Sequence, residues 1–242
     1  MRLDSALAAR GLTSSRSQAE NYIKLGLVRI NGGVAKKASR QVYAKDTIAV
    51  EGDQYVSRAA LKLASVTKQF GLDFRDTTVL DVGSSTGGFT DYALQHGAKK
   101  VYAVDVGTEQ MHNSLRISDR VSLYEKTDIR DFAMNNPELG KDIDVVVADV
   151  SFISLTQVLP AIAQLCNPSS VLVMMCKPQF EAGREQTTKG VVKNSSVRMQ
   201  ILQDFEQWLV ANGFTILDMA DSQVAGTKGN LEKFYKLTCK AS

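Results

Sequence analysis

From residue 78 onward the chain returns seven times to a short apolar run, at 78–82, 101–106, 121–124, 143–148, 171–176, 214–219 and 234–238. Between several of these runs apolar residues recur at helical spacing, clearest at Leu155, Leu159, Ile162 and Leu165 and at Met199, Leu202, Phe205 and Leu209. Runs this short suit strands, and intervening helices supply the crossovers that let successive strands lie parallel. The segments VVVA (145–148) and VLVMM (171–175) are apolar without alternation, as strands covered on both faces should be. The pattern predicts a doubly wound α/β sheet of seven strands, led in by an Ala- and Leu-rich helix over 58–70.

The first 53 residues follow a different rhythm. Leu3, Leu7 and Ala8 share a helical face that Gly11 is placed to end. Residues 13–17 offer N-caps for a second helix over 18–25, stopped at Gly26. Val28-Arg29-Ile30 followed by Asn31-Gly32 predicts a tight hairpin, since both turn residues tolerate positive φ. A strand over 47–50 closes a small α+β unit, and polar residues 51–54 bound it. The expected organisation is a head over 1–53, a linker over 54–57 and the α/β domain over 58–242. Residues 1–58 hold ten Lys/Arg against five Asp/Glu, while the remainder holds nineteen against twenty-one. A basic head on a near-neutral body suits a polyanionic partner, although a solvated charged surface gives the same count.

Composition excludes several classes. At 44% hydrophobic and 23% charged residues, the 242-residue chain is ordinary for a globular protein. Its longest apolar run, Val171–Cys176, is far short of the ~18 residues that a membrane span needs. Asp4 and Arg10 interrupt the stretch that a signal peptide would keep apolar. Three cysteines without a CxxC, and only two histidines, give no disulfide framework and argue against a metal centre. A cytoplasmic protein without metal or membrane is expected, its oligomeric state open and a monomer the simplest case.

The first strand of the α/β domain ends in Asp81-Val82-Gly83-Ser84-Ser85-Thr86-Gly87-Gly88-Phe89-Thr90-Asp91. Glycines at a strand-to-helix turn let a ligand approach the main chain, and the next helix offers free N–H groups. The spacing is neither GxGxxG nor GxxxxGK[ST], which disfavours a dinucleotide and a nucleoside triphosphate. Asp105 closes the next strand, 22 residues after Gly83, where a carboxylate can accept from both hydroxyls of a ribose. Asp128 follows the third strand and is placed for an adenine edge. A nucleoside cofactor without pyrophosphate fits, and S-adenosylmethionine is expected. Its contacts would be Asp81, Gly83, Ser84, Ser85, Gly87, Gly88, Phe89, Asp105, Asp128 and Asp149. For the loop taken alone, a bare tight turn is the plainer alternative.

A longer set of motifs narrows the reading. VSRAALKL (56–63), DVGSSTGGFTD (81–91), ADVSFISL (148–155), KPQFE (177–181), KGVV (189–192) and GNLEKF (229–234) resemble the TlyA or haemolysin-A family. Its members are S-adenosylmethionine-dependent rRNA 2′-O-methyltransferases with an FtsJ/RrmJ-like catalytic domain. The head, with RLD at 2–4, SRSQA at 15–19 and VRINGG at 28–33, resembles the alpha-L RNA-binding domain of a small-subunit ribosomal protein. The resemblance spans nearly the whole chain in the same motif order. It implies a Rossmann-like seven-stranded methyltransferase domain after a small α+β alpha-L domain. It further implies methylation of cytidine ribose in large-subunit rRNA, with the small subunit as the wider option. Matched residue by residue, the Lys-Asp-Lys-Glu tetrad of related enzymes falls on Lys62, Asp149, Lys177 and Glu232.

The chemistry wants such groups. A ribose 2′-hydroxyl is a poor nucleophile that must shed its proton as it attacks, and a lysine can take that proton once a neighbouring amine disfavours its charge. Lys177, after a buried strand, is assigned as base, and Lys62 as the group that orients the ribose or stabilises the developing alkoxide. Asp149 positions a lysine, and Glu232 anchors the other. Duller fates exist: Lys62 on a solvated face, Asp149 as a cap aided by Ser151, Glu232 paired with Lys233 or Lys228, and Phe152 in the core rather than stacked on a base or adenine. No Pro-Cys nucleophile and no Asp-Pro-Pro turn favour carbon-5 or amino methylation.

In the head, Arg2, Arg10, Arg16, Arg29, Lys36, Lys37 and Arg40 form the expected RNA grip, reading backbone and shape. Arg58 and Lys189, within the VSRAALKL and KGVV motifs, are added as RNA contacts. Tyr55 and Val56 are expected to couple RNA docking to the cofactor site. The rivals are a haemolysin acting on membranes and a non-catalytic RNA-binding assembly factor.

Overall fold

The computed structural model describes residues 1–13, 15–24, 26–51, 55–183, 187, 190–192, 194–222, 224 and 229–239. Lys189 and Gln54 lie outside them. The chain divides into two compact units, Met1–Arg58 and Ala59–Ser242.

In the first unit, α1 (Leu3–Ala9) and α2 (Arg16–Lys24) pack on a three-stranded sheet of β1 (Val28–Ile30), β2 (Gly33–Val34) and β3 (Ile48–Val50), ordered β2-β1-β3. Asn31 and Gly32 take φ of 51° and 83°, so the β1–β2 hairpin turns where expected. Gly11 and Gly26, both at positive φ, follow the two helices. Ala6 joins Leu3 and Leu7 in the core, whereas the predicted Ala8 is only half-buried, because the inward face runs through 3, 6 and 7. Asp4 is inaccessible to solvent and sits within reach of two guanidiniums, Arg2 at 2.7 Å and Arg16 at 3.1 Å. Tyr55, assigned above to a linker, is buried, and its carbonyl accepts from Gln18 Nε2 and the Tyr22 hydroxyl. It belongs to the first unit because those two bonds hold it to α2.

The second unit begins with α3 (Ala59–Thr67) and builds a seven-stranded sheet. Its strands are β4 (Thr78–Val82), β5 (Lys100–Val104), β6 (Val121–Tyr124), β7 (Val145–Ala148), β8 (Val171–Cys176), β9 (Phe214–Asp221) and β10 (Lys233–Cys239). Between them lie α4 (Gly88–Gln95), α5 (Asn113–Arg116), α6 (Ile129–Asn135), α7 (Leu155–Gln164), α8 (Pro178–Glu181) and α9 (Ser195–Ala211). The order is β6-β5-β4-β7-β8-β10-β9, parallel as far as β8, with β10 antiparallel to both of its neighbours. All four residues of β7 are buried, as helices on both faces require. Leu159 and Ile162 of α7 are fully buried against this sheet, each worth about 1.5–3 kcal/mol relative to exposure. Ser154 caps α7 by accepting from Thr156 N, and Asn194 caps α9 by accepting from Ser196 N and Val197 N.

Two features of register place the site. The chain leaves β4 toward β5 and β6, then returns to the other side for β7 and β8, so the order reverses between β4 and β7, where such sheets gather ligands. In the β4–β7 pair Val82 faces Ala148, so Gly83 and Asp149 emerge side by side. Since β10 runs antiparallel to β8, its first residue, Lys233, faces Cys176, and Glu232 arrives beside Lys177.

A two-part cleft with a lysine–carboxylate cluster

A cleft opens at the carboxyl ends of the parallel strands. One half, about 430 Å³, is lined by Lys62, Asp81, Asp149, Lys177 and Glu232, with Phe89 on its wall. The other, about 360 Å³, is lined by Asp105, Asp128, Val106, Ile129 and Ile153. Gly83, Ser85, Asp149, Ser151 and Phe152 border both.

The glycine loop forms the floor. Gly83 has φ of 80°, and a Cβ there would stand 3.0 Å from the Asp149 carbonyl oxygen, so a side chain is excluded by both conformation and space. At Gly87 a Cβ would fall 2.3 Å from Leu115 Cδ1 and 2.5 Å from Met111 Sδ. These residues press the segment after β5 against the loop. Gly88 opens α4, buried like Phe89, whose ring lies 6.3 Å from that of Phe234. Ser85 donates its amide to Asp105 Oδ2 at 2.7 Å, and Gly107 donates to Oδ1 at 2.6 Å. Asp105 is thereby fixed with lone pairs left for a diol. Asp128 caps α6, and the Arg130 guanidinium holds its carboxyl below the usual carboxylate range. Its side chain is thus committed locally while it borders the cleft.

Asp81 is buried and accepts from Thr90 Oγ1 at 2.6 Å. Its Oδ1 and the Ser84 hydroxyl have no hydrogen-bond partner among the described residues. Burial pushes the Asp81 carboxyl up to about 7, reinforced by the charges of Asp149 and Asp105 and opposed by Thr90. The floor therefore presents unsatisfied acceptors in a low-dielectric pocket, ready for a donor or a cation.

The lysines come from different elements yet meet. Lys177 Nζ lies 2.6 Å from Asp149 Oδ1 and donates to Ser151 Oγ at 2.6 Å. Lys62, on α3, lies 2.6 Å from Glu232 Oε2 and 3.8 Å from Asp149 Oδ2. All four side chains are nearly buried, with exposures of 12% for Lys62, 16% for Asp149, 9% for Lys177 and 4% for Glu232. Lys62 is therefore not on a solvated face. Asp149 is not a cap, a task taken by Ser154. Glu232 does not pair with Lys233, which instead meets Glu206 at 3.1 Å.

Phe152 is 91% exposed and holds φ of 64°, a conformation costly for a bulky side chain. The core placement weighed for it is therefore wrong: the turn after β7 aims it outward, where its ring lies 5.2 Å from that of Phe180. The sequence reading missed Phe180 and Glu181 as site residues, and treated Ser151 only as a capping aid. All three stand inside the ADVSFISL and KPQFE strings, but nothing in their spacing reveals that the two turns touch.

In the first unit, Lys36, Lys37 and Arg40 are exposed. Arg10 donates to the carbonyls of Asp46 and Tyr43, and Arg29 pairs with Glu51 at 2.5 Å, so these two, like Arg2 and Arg16, also brace the fold. Arg58 is half-buried. Among the described residues no group of three or more His, Cys, Asp or Glu could hold a metal, and no helix is long and apolar enough to cross a membrane.

Comparison with known proteins agrees with this geometry. A model of the FtsJ-like methyltransferase family matches residues 55–238, and an S4 domain model matches residues 1–48. The chain is 39% identical over 236 residues to Hemolysin A of Brachyspira hyodysenteriae, covering 96% of this chain and 97% of that protein. It is 38% identical over 240 residues to the 16S/23S rRNA (cytidine-2′-O)-methyltransferase TlyA of Mycobacterium tuberculosis, covering 98% and 89%. Among solved structures, a candidate hemolysin from Streptococcus thermophilus superposes with a TM-score of 0.75 at 37% identity, covering 100% of this chain and 89% of that one.

Proposed function

Because the chain belongs to the TlyA/haemolysin A family of FtsJ-like methyltransferases, we propose that it transfers the methyl group of S-adenosylmethionine to the 2′-hydroxyl of a cytidine in ribosomal RNA. The observation that carries this reading is the cluster of two amines and two carboxylates at one end of a cleft whose other end is built for a nucleoside.

The residues present fit that donor. Asp105, held by two backbone amides, would accept from the ribose hydroxyls, and Val106, Ile129 and Ile153 would line an apolar slot for an adenine ring. The Asp81 oxygen that has no partner among the described residues would suit the cationic amino-acid tail, and Gly83, without a side chain, would let the donor approach the backbone. When bound, S-adenosylmethionine supplies an electrophilic methyl group on a sulfonium.

The protein's own part is alignment, proton removal and charge stabilisation. Lys62 stands between two carboxylates and acts as the fixed cation beside the acceptor oxygen. Lys177 meets one carboxylate where Lys62 meets two, so it is the less firmly held cation of the pair, and in its neutral form, after giving a proton to solvent, it takes the hydroxyl proton. Asp149 touches both amines and sets their spacing, while Glu232 anchors Lys62. Phe152, with Phe180 behind it, offers a face for stacking on the acceptor base.

The exposed Lys36, Lys37 and Arg40, with the outward donors of Arg2, Arg10 and Arg16, would grip RNA phosphates. Arg58, and Lys189 outside the described residues, are proposed as further RNA contacts from their motifs alone.

Incubation with labelled donor and separated ribosomal subunits, followed by mapping of the modified ribose, tests the assignment. Label on a cytidine 2′-oxygen is expected, lost in Lys177→Ala with donor affinity retained. Label on a base, or turnover unchanged in Lys177→Ala, would overturn it.

A further inference from the structure

Two turns carry the acceptor side of the cleft. One runs from Asp149 through Ser151 and Phe152 into α7, and the other from Lys177 through Phe180 into α8. They touch at three points. Lys177 donates to Ser151, the rings of Phe152 and Phe180 meet at a tilt of 48°, and the Glu181 carboxylate reaches the start of α7. There Glu181 accepts from the Ser154 hydroxyl through Oε2 and from Leu155 N, 2.8 Å away, through Oε1. It therefore satisfies an α7 amide that the helix itself leaves free.

We infer that Glu181 is a positioning residue for methyl transfer, tying the turn that bears Ser151 and Phe152 to the turn that bears Lys177. This rests on the reading of the cleft given above. Phe152 sits two residues before Ser154 with a left-handed φ, a conformation that persists only where its surroundings over-determine it. The strand end at Ala148 fixes one side of that turn, and the Glu181 carboxylate fixes the other. Glu181 also lies one helical turn beyond Lys177, and its amide donates to the Lys177 carbonyl at 3.3 Å. A single side chain thus references the proton acceptor and the aromatic face to each other. Without it, α7 keeps its Ser154 cap and its buried face, so the fold survives while the turn loosens.

Glutamine can replace the carboxylate. Its carbonyl would still accept from Leu155 N, and its amide would donate to Ser154 Oγ. That hydroxyl can turn its own hydrogen toward Thr156 Oγ1, 2.7 Å away. Leucine can do neither. In single-turnover methylation of the mapped RNA, Glu181→Leu is expected to lower the rate about 10- to 100-fold with donor affinity unchanged. Glu181→Gln is expected to recover most of it. A wild-type rate in folded Glu181→Leu, or equal losses in the Leu and Gln variants, would overturn the inference. An inactive wild-type protein would instead overturn the reading of the cleft.

Discussion

Glu232 Oε2 stands 2.6 Å from Lys62 Nζ, a contact between a residue that introduces β10 and one on the first helix of the same unit. Both are nearly inaccessible, so neither charge has water as a substitute partner. Removing the carboxylate leaves Lys62, among the described residues, with Asp149 at 3.8 Å as its remaining anionic partner. Glu232→Ala should cut the methylation rate by about 10²–10³, the usual effect of misplacing a charge that stabilises an oxyanion. Donor affinity, followed by calorimetry, should stay within a few-fold. A variant that methylates at the native rate would remove Lys62 from its proposed role.

Phe152 offers a trade between stability and activity. Its φ of 64° suits glycine, whereas its exposed ring suits stacking. Phe152→Gly and Phe152→Ala should both weaken RNA binding. Of the two, the glycine variant should be the more stable by about 1 kcal/mol, because a Cβ is strained there. Chemical denaturation and RNA titration measure the two effects separately. An alanine variant as stable as the glycine one would mean that the turn relaxes freely.

Asp81 should imprint a pH dependence on stability. Its carboxyl is pushed up to about 7 in the folded state, so between pH about 4 and about 7 the native protein keeps a proton that the unfolded chain has lost. The contribution is present in acid and disappears as pH rises through this window, by at most about 4 kcal/mol. Asp81→Asn cannot lose that proton. Urea unfolding at pH 5 and pH 8 should show the variant gaining on the native protein at the higher pH. A constant difference between the two would contradict the assignment.

Asp4 should act in the opposite sense. Hydrogen bonds from Arg2 first, then Arg16 and the Ser5 amide, hold its carboxyl well below the usual range despite burial. The stability it gives is present above pH about 4 and is lost on further acidification. Asp4→Ala should lower the melting temperature of the S4-like unit at neutral pH and flatten its acid sensitivity. An identical acid transition in the variant would exclude the clamp.

Much of this was legible before the structure. The apolar rhythm gave the strands of the second unit to within a few residues, since buried parallel strands leave an unbroken apolar trace. Asn31-Gly32 marked its hairpin because few residues accept two positive φ values in succession. The glycine loop and Asp105 could be located from strand ends alone. Other features were not legible. The pairing of Glu232 with a lysine came from the family resemblance alone, since Glu232 reaches Lys62 through the antiparallel insertion of β10 beside β8 and nothing local in GNLEKF signals that register. Glu181 looks in sequence like any surface glutamate near a helix end. Phe152 was weighed toward the core because aromatic residues after a buried strand usually go there, and only the backbone shows it turned outward.

Gly83 donates its amide to the Val104 carbonyl and Asp149 donates to that of Val82, so both are stitched into the innermost ladders of the sheet. The floor of the cleft cannot breathe apart from that sheet. Deuterium would reach these two amides only when the whole unit opens. A bed built into the sheet in this way keeps its shape whether or not anything lies on it.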